Sequence, residues 1–316
     1  MTQTPTAERI EAAASSIDPV FLDTPQYVSE PLSEAVGTRL VVKVETQNPI
    51  RSFKGRGTDY LLSALTDRSP LVTASAGNFG QGLAYAARRR GIPATIFAAR
   101  SANALKVERM RALGAEVRLE GDDFDAAKEA ARAFAAQRTA RFVEDGAEPE
   151  IAEGAGTIAR ELTRGAEAFD VLVAPLGNGA LLTGLGTWCR HISPRIRMVG
   201  VCAAAAPAME RSWRADAVVA TGSAPTIADG IAVRAPVPAA VAWLRPVLDE
   251  VWLVTEEQLV EAMRLAFTHL GLVVEPAGAA GLAGCLAHRD ELGAATVAVP
   301  LCGGNLTPEQ AARWLR

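Results

Sequence analysis

The stretch "DVLVAPLGNGALLTGLG", residues 170–186, decides the fold. An apolar run rich in β-branched residues stops at a glycine-rich turn, and a helical pattern starts at once. Apolar runs without polar alternation are strands buried on both faces. A strand that feeds straight into a helix belongs to a unit whose next strand returns parallel. The same rhythm recurs along the chain. "LVVKVE" (40–45) reads as a strand, with the helix "KGRGTDYLLSAL" downstream of it. "LVTAS" (71–75) precedes the helix "NFGQGLAYAARRR", "ATIFAA" (94–99) precedes "NALKVERMRALG", and "AEVRLE" (115–120) precedes "DDFDAAKEAARAFAAQR". Further on come the strands "RMVGVCA" (197–203), "EVWLVT" (250–255) and "ATVAVP" (295–300), the last two followed by the helices "EEQLVEAMRLAFTHLG" and "TPEQAARWL". The expected fold class is α/β, with two open parallel-sheet lobes covered by helices on both faces. The two βα clusters predict a small domain over 51–145 and a large one from 1–50 with 146–316. In such sheets ligands sit beyond the carboxyl ends of the strands.

Composition excludes several function classes. The chain has 316 residues, 49% hydrophobic and 22% charged, with a net charge of −4. That balance gives no electrostatic footprint for nucleic acid or an anionic membrane. The N-terminus "MTQTPTAERIEAAASSI" lacks the apolar core of a signal peptide, and no apolar run is long enough to span a bilayer. Four cysteines form no CxxC and three histidines no ligand-spaced pair, so neither a disulfide framework nor a metal site is expected. A reducing cytoplasm is the default location.

The residues just after the strands carry the chemistry. "TASAGNFGQG" (73–82) and "APLGNGALLTG" (174–184) place glycines at helix starts, where open backbone N–H groups and the helix dipole favour anions. The second lacks the lysine and Ser/Thr of a P-loop and the spacing of a dinucleotide-binding turn. "VPLCGGNL" (299–306) brings Cys302 to a strand end, and "TIADGIAV" (226–233) holds the turn at Asp229–Gly230. In "NPIRSFKGRG" (49–58), Lys54 lies beside Phe53 among small residues. A lysine amine condenses with an aldehyde only when neutral, and a dry flank favours that form. A phosphate cup, a lone lysine and a carboxylate-binding turn are together the parts of a pyridoxal 5′-phosphate site.

With these motifs in this order, the chain is similar to fold-type II (tryptophan synthase β-like) pyridoxal-phosphate enzymes of the serine/threonine dehydratase family, the group that includes serine racemase. "KVETQNPIRSFKGRG", "SAGNFGQG", "PLGNGALLTG", "TIADGIAV", "EPAGAAGLAG" and "CGGN" carry the resemblance. It implies a cofactor in the cleft between the lobes, held through its aldehyde by Lys54, which also moves the substrate's α-proton. Phe53 would flank the ring and Asn78 bond its hydroxyl. Gly177, Asn178, Gly179, Ala180 and Leu181 would cradle the phosphate, and Cys302 would face the pyridine nitrogen. The amino-acid substrate would meet Ser75, Ala76, Gly77, Asn78, Phe79, Gln81 and Gly230. A neutral thiol at the ring nitrogen makes a weaker electron sink than a carboxylate would, which favours prompt loss of a β-substituent over transamination. The implied reaction is α,β-elimination of water from a β-hydroxy amino acid, giving a 2-oxo acid and ammonia. No side-chain donor is evident for the departing hydroxyl, and the resemblance implies the cofactor phosphate as its proton source.

Departures from the family pattern sharpen this expectation. Racemases of the group carry a serine where this chain has Ala76, which favours a dehydratase. "CAAAAPAM" (202–209) has no carboxylate where many relatives bind a divalent cation, so no metal is expected. Phe79 and Arg51 are unusual. Phe79 reads either as packing at the helix start or as a wall for an aryl β-substituent, so the substrate is serine/threonine or an analogue such as threo-phenylserine. The chain stops at Arg316, soon after the last motif, so a C-terminal regulatory domain is not expected. Relatives without that domain imply a homodimer. The alternatives are β-replacement of the cysteine synthase type, serine racemization, or a cofactor-binding sensor without turnover.

Overall fold

The strand–helix rhythm is realized as two sheets in the computed structural model, which describes residues 3–316. The first segment holds α1 (Ala7–Ser16), β1 (Gln26–Val28), α2 (Glu30–Val36) and β2 (Arg39–Val44). The second holds α3 (Lys54–Ser63), β3 (Leu71–Ala74), α4 (Asn78–Arg90), β4 (Ala94–Ala98), α5 (Ala104–Ala112), β5 (Glu116–Leu119), α6 (Phe124–Arg138) and β6 (Arg141–Phe142). The third begins with α7 (Pro149–Arg164), β7 (Val171–Pro175), α8 (Ala180–Ile192), β8 (Arg197–Ala203), α9 (Ala208–Ala215) and α10 (Pro238–Leu244). It ends with β9 (Glu250–Val254), α11 (Glu256–Leu270), α12 (Pro276–Ala287), α13 (Arg289–Leu292), β10 (Thr296–Leu301) and α14 (Pro308–Trp314). Six strands form one sheet in the order β1-β2-β10-β7-β8-β9, and four form the other in the order β5-β4-β3-β6.

Every pairing is parallel except that of β1 with β2. β7 is buried along its whole length, which is why its sequence shows no polar alternation. Successive residues still point to opposite faces. In the six-stranded sheet Val171, Val173, Val199 and Val299 pack under α11 and α12. Leu172, Ala174, Met198 and Ala298 face α7 and α8 on the other side. The four-stranded sheet is likewise covered twice, by the alanine stripe of α6 against Val72 and Phe97, and by α3, α4 and α5 against Leu71 and Ile96. Among the described residues no helix is long and apolar enough to cross a membrane.

One helix absent from the sequence expectations positions the site. α7 lies between α3 and α8 with backbone against backbone. A Cβ on Gly57 would meet Ile151 O at 2.5 Å, and one on Gly154 would meet Arg56 O at 2.6 Å. On the other side, a Cβ on Gly184 would collide with Ala152 O. Gly154 and Gly156 each cost about 1 kcal/mol of helix propensity, which hides α7 from a reading of the sequence. The same glycines allow the close approach that fixes α3 relative to α8.

A buried ion network ties α3 to its surroundings. Arg56 is fully buried and bonds Glu45 through Nε and Nη2, both at 2.8 Å. It also reaches Glu161 of α7 at 2.5 and 2.9 Å, and Thr157 at 2.9 Å. Lys43 of β2 completes the set with a 2.5 Å contact to Glu161. Two cations thus meet two carboxylates, so no charge is left uncompensated.

Candidate active site

Three helices begin at one cavity of about 550 Å³ between the two sheets. α3 starts at Lys54, α4 at Asn78 and α8 at Ala180. At none of these three starts does the residue directly in front cap with its own side chain, these residues being Phe53, Gly77 and Gly179. Such N-termini together make a setting for more than one anionic group. Gly179 has φ +92°, a left-handed conformation open to glycine, and its turn brings Gly177, Asn178, Ala180 and Leu181 to the cavity wall. Phe53, Lys54 and Cys302 line the cavity, as do Ser75, Ala76, Gly77, Asn78, Phe79 and Gly230. Gln81 does not. It is buried one turn behind the wall, with Nε2 unpartnered.

Lys54 is held by its loop. Ser52 Oγ accepts from the Lys54 N–H at 3.3 Å and donates to Cys302 O at 3.2 Å, so Ser52 joins the lysine loop to the end of β10. Lys54 Nζ lies 4.9 Å from the Phe53 ring centroid and 5.7 Å from that of Phe79. It donates to Asp145 Oδ2 at 2.6 Å. Asp145 has no motif around it, and sequence reasoning missed it. Arg51, unusual beside this lysine, is exposed and does not line the cavity. Its φ of +52° is the left-handed conformation that favours glycine.

Asn78 sits in a buried chain of amides. Its Nδ2 donates to Glu275 Oε1 at 2.5 Å, and its Oδ1 accepts from Asn305 Nδ2 at 2.8 Å. Asn305 N donates to Glu275 Oε2 at 3.2 Å, and Arg109 donates to Asn305 Oδ1. A Cβ at Gly303 would lie 2.9 Å from Asn78 Nδ2 and overlap Glu275, so the "CGGN" glycine makes room for this pair. Ser75 Oγ accepts from the N–H groups of Gly77 and Gly80, at 3.2 and 3.0 Å, and keeps its own proton to donate.

The cavity carries more carboxylates than cations. Lys106 is paired with Asp229, Lys128 with Glu144, Arg234 with Asp123 and Asp125, and Lys54 with Asp145. Burial opposes the charge on Lys106, but the Asp229 carboxylate outweighs it and raises the lysine above its usual range. Burial pushes the Cys302 thiol well up, with Glu45 and Glu275 adding to the effect, so the thiol stays neutral. Among the described residues no group of three or more His, Cys, Asp or Glu comes together in a metal-ligating arrangement.

Burial also raises Glu275 to about 7, with Asp229 pushing the same way against Lys106 and the bonds from Asn78 and Asn305. The folded chain therefore keeps a proton that the unfolded chain releases near 4.5. Its contribution to stability is complete at low pH and declines as pH rises from about 4.5 to about 7. Urea unfolding at pH 5, 6, 7 and 8 is expected to show a shallower decline for Glu275→Gln than for the wild type. Parallel curves would refute the assignment.

A family model described as "Pyridoxal-phosphate dependent enzyme" matches residues 17–303. An L-threonine ammonia-lyase of Thermotoga maritima is 35% identical over 304 residues, which are 95% of this chain and 76% of that one. An L-threo-3-hydroxyaspartate ammonia-lyase of Saccharomyces cerevisiae is 31% identical over 305 residues, 96% of this chain and 94% of that one. Among solved structures, maize serine racemase superposes with a TM-score of 0.92 at 26% identity, covering 98% of this chain and 97% of that one.

Proposed function

The chain belongs to the pyridoxal-phosphate-dependent enzymes, and from that premise we propose that it is an ammonia-lyase acting on β-hydroxy-α-amino acids with a neutral β-substituent. The residues fit the cofactor: the starts of α4 and α8 suit a substrate carboxylate and a phosphate, and α3 opens at the same cavity with the lysine. The backbone of Gly177 to Leu181 would hold the phosphate, Phe53 would flank the ring, Asn78 would donate to its hydroxyl, and Cys302 would stand at its nitrogen as a neutral thiol. When bound, pyridoxal phosphate supplies an electron-withdrawing ring that acidifies the substrate's α-proton. Lys54 holds the cofactor at rest and takes that proton during turnover. The start of α4, Ser75 to Asn78, receives the substrate carboxylate. We assign 51–145 to the smaller lobe and 1–50 with 146–316 to the larger, working as a homodimer in the cytoplasm.

The pairing of every cavity cation carries the choice of substrate. Lys54, Lys106, Lys128 and Arg234 already face carboxylates, so a second substrate carboxylate would find no free counter-ion. Four phenyl rings, Phe53, Phe79, Phe124 and Phe142, line the cavity instead. Leaving a charge unpaired in such a site costs about 2 kcal/mol or more, roughly 30-fold in kcat/KM. The proposal therefore separates this chain from its hydroxyaspartate-cleaving relative. A 2-oxo acid assay is expected to rank threo-phenylserine at least equal to threonine, and both about 30-fold or more above threo-3-hydroxyaspartate. A preference for hydroxyaspartate would overturn it. Serine racemization is the second reading, supported by the close superposition with maize serine racemase. Ala76 opposes it, since it offers the cavity no proton.

A further inference from the structure

We propose that Asp145 is the general acid that protonates the departing β-hydroxyl, and that Lys54 reloads it. The inference rests on the elimination reading above. Six carboxylates line the cavity, and five have other partners. Asp229 faces Lys106, Glu144 faces Lys128, Asp123 and Asp125 face Arg234, and Glu275 is bonded by Asn78 and Asn305. Asp145 alone touches the lysine, through Oδ2 at 2.6 Å. Its Oδ1 is buried with no hydrogen-bond partner. A buried carboxylate oxygen left so is costly unless something completes it. A carboxyl that carries a proton leaves Oδ1 without charge, which lowers that cost.

The turn that carries Asp145 is built to hold it there. Gly146 has φ +92°, and a Cβ on it would come within 2.7 Å of Asn178 O. The turn therefore presses directly on the glycine loop before α8. Asn178 Nδ2 also lies 3.4 Å from Asp145 Oδ2. Asp145 is thus placed by the same loop that would seat the cofactor phosphate.

The proton count closes. Neutral Lys54 takes the α-proton, and the C–H electron pair becomes the second bond between Cα and Cβ. The Cβ–O bond breaks with its electrons on oxygen. That oxygen takes the Asp145 proton and leaves as water. Lys54 is now an ammonium and Asp145 a carboxylate, the ion pair seen in the structure. Transfer of one proton from Nζ to Oδ2 restores both groups, and no other reactant is required.

The test compares Asp145→Asn with the wild type on two leaving groups. Hydroxide needs a proton to leave, and chloride does not. With the best β-hydroxy amino acid of the panel, 2-oxo acid formation by Asp145→Asn is expected to fall about 10²–10⁴-fold. With β-chloroalanine it is expected to fall by less than about tenfold, well short of a general-acid loss. Affinity for pyridoxal phosphate, read from the visible absorbance of the bound cofactor, should be retained. So should exchange of the substrate's α-hydrogen in deuterium oxide. Asp145→Glu should recover part of the lost rate. An equal fall on both substrates, no fall on either, or a loss of cofactor affinity matching the loss of rate would each overturn the assignment. A wild type that makes no 2-oxo acid from any β-hydroxy amino acid would sink the elimination reading and this proposal with it. A working wild type with an unimpaired Asp145→Asn sinks this proposal alone.

Discussion

Lys54→Ala is expected to lower 2-oxo acid formation from every β-hydroxy amino acid by about 10⁴-fold or more. The size follows from one atom having two tasks. Nζ would hold the cofactor aldehyde and also move the α-proton, so one truncation removes both. Proton transfer by a placed side chain alone is worth about 10²–10⁴-fold. The fold should survive. Lys54 opens α3, where alanine is a good helix former, and Asp145 keeps partial access to water. Thermal unfolding of the variant close to that of the wild type would show that the loss is chemical. A variant that kept a hundredth of the wild-type rate would refute the assignment.

The largest stability effect is expected at Arg56, two residues further along α3. Arg56→Met removes the cation that four bonds join to Glu45 and Glu161, leaving Lys43 alone against both carboxylates. Removing one partner of a fully buried pair costs about 3–5 kcal/mol, because the stranded charge keeps its desolvation cost. Burial raises Glu161, and its bonds from Arg56 hold it below the usual carboxylate range. The wild type should therefore lose stability in acid as Glu161 is protonated, and Arg56→Met should lose this protection. Urea unfolding at pH 7 measures the first effect. A cost under about 1 kcal/mol would mean that the network contributes no more than an ordinary hydrogen bond. Because α3 begins at Lys54, cofactor affinity should fall together with stability.

Local features of the chain made most of the fold legible. "DVLVAP" and "RMVGVCA" are read correctly because a buried parallel strand must be apolar on both faces, whatever lies next to it. The glycine turns before α4 and α8 are legible because an open helix start requires small residues. α7 was not legible. Its glycines count against a helix until α3 and α8 are seen pressed against them. Gln81 shows the limit inside a motif. The spacing places it beside the substrate loop, and only the folded chain shows that it is buried there.

The sequence by itself determined the α/β class, the cofactor chemistry implied by Lys54 and its motif set, and the neighbours of the glycine loops, since all of these are written within a few residues of one strand end. Only the tertiary structure decided which charges meet. Lys54 finds Asp145 across 91 residues, and Asn78 finds Glu275 across 197. No local pattern marks either partner. Those pairings exist because two sheets, clamped through α7, bring the ends of distant strands to one cavity, where burial makes an unpaired charge costly.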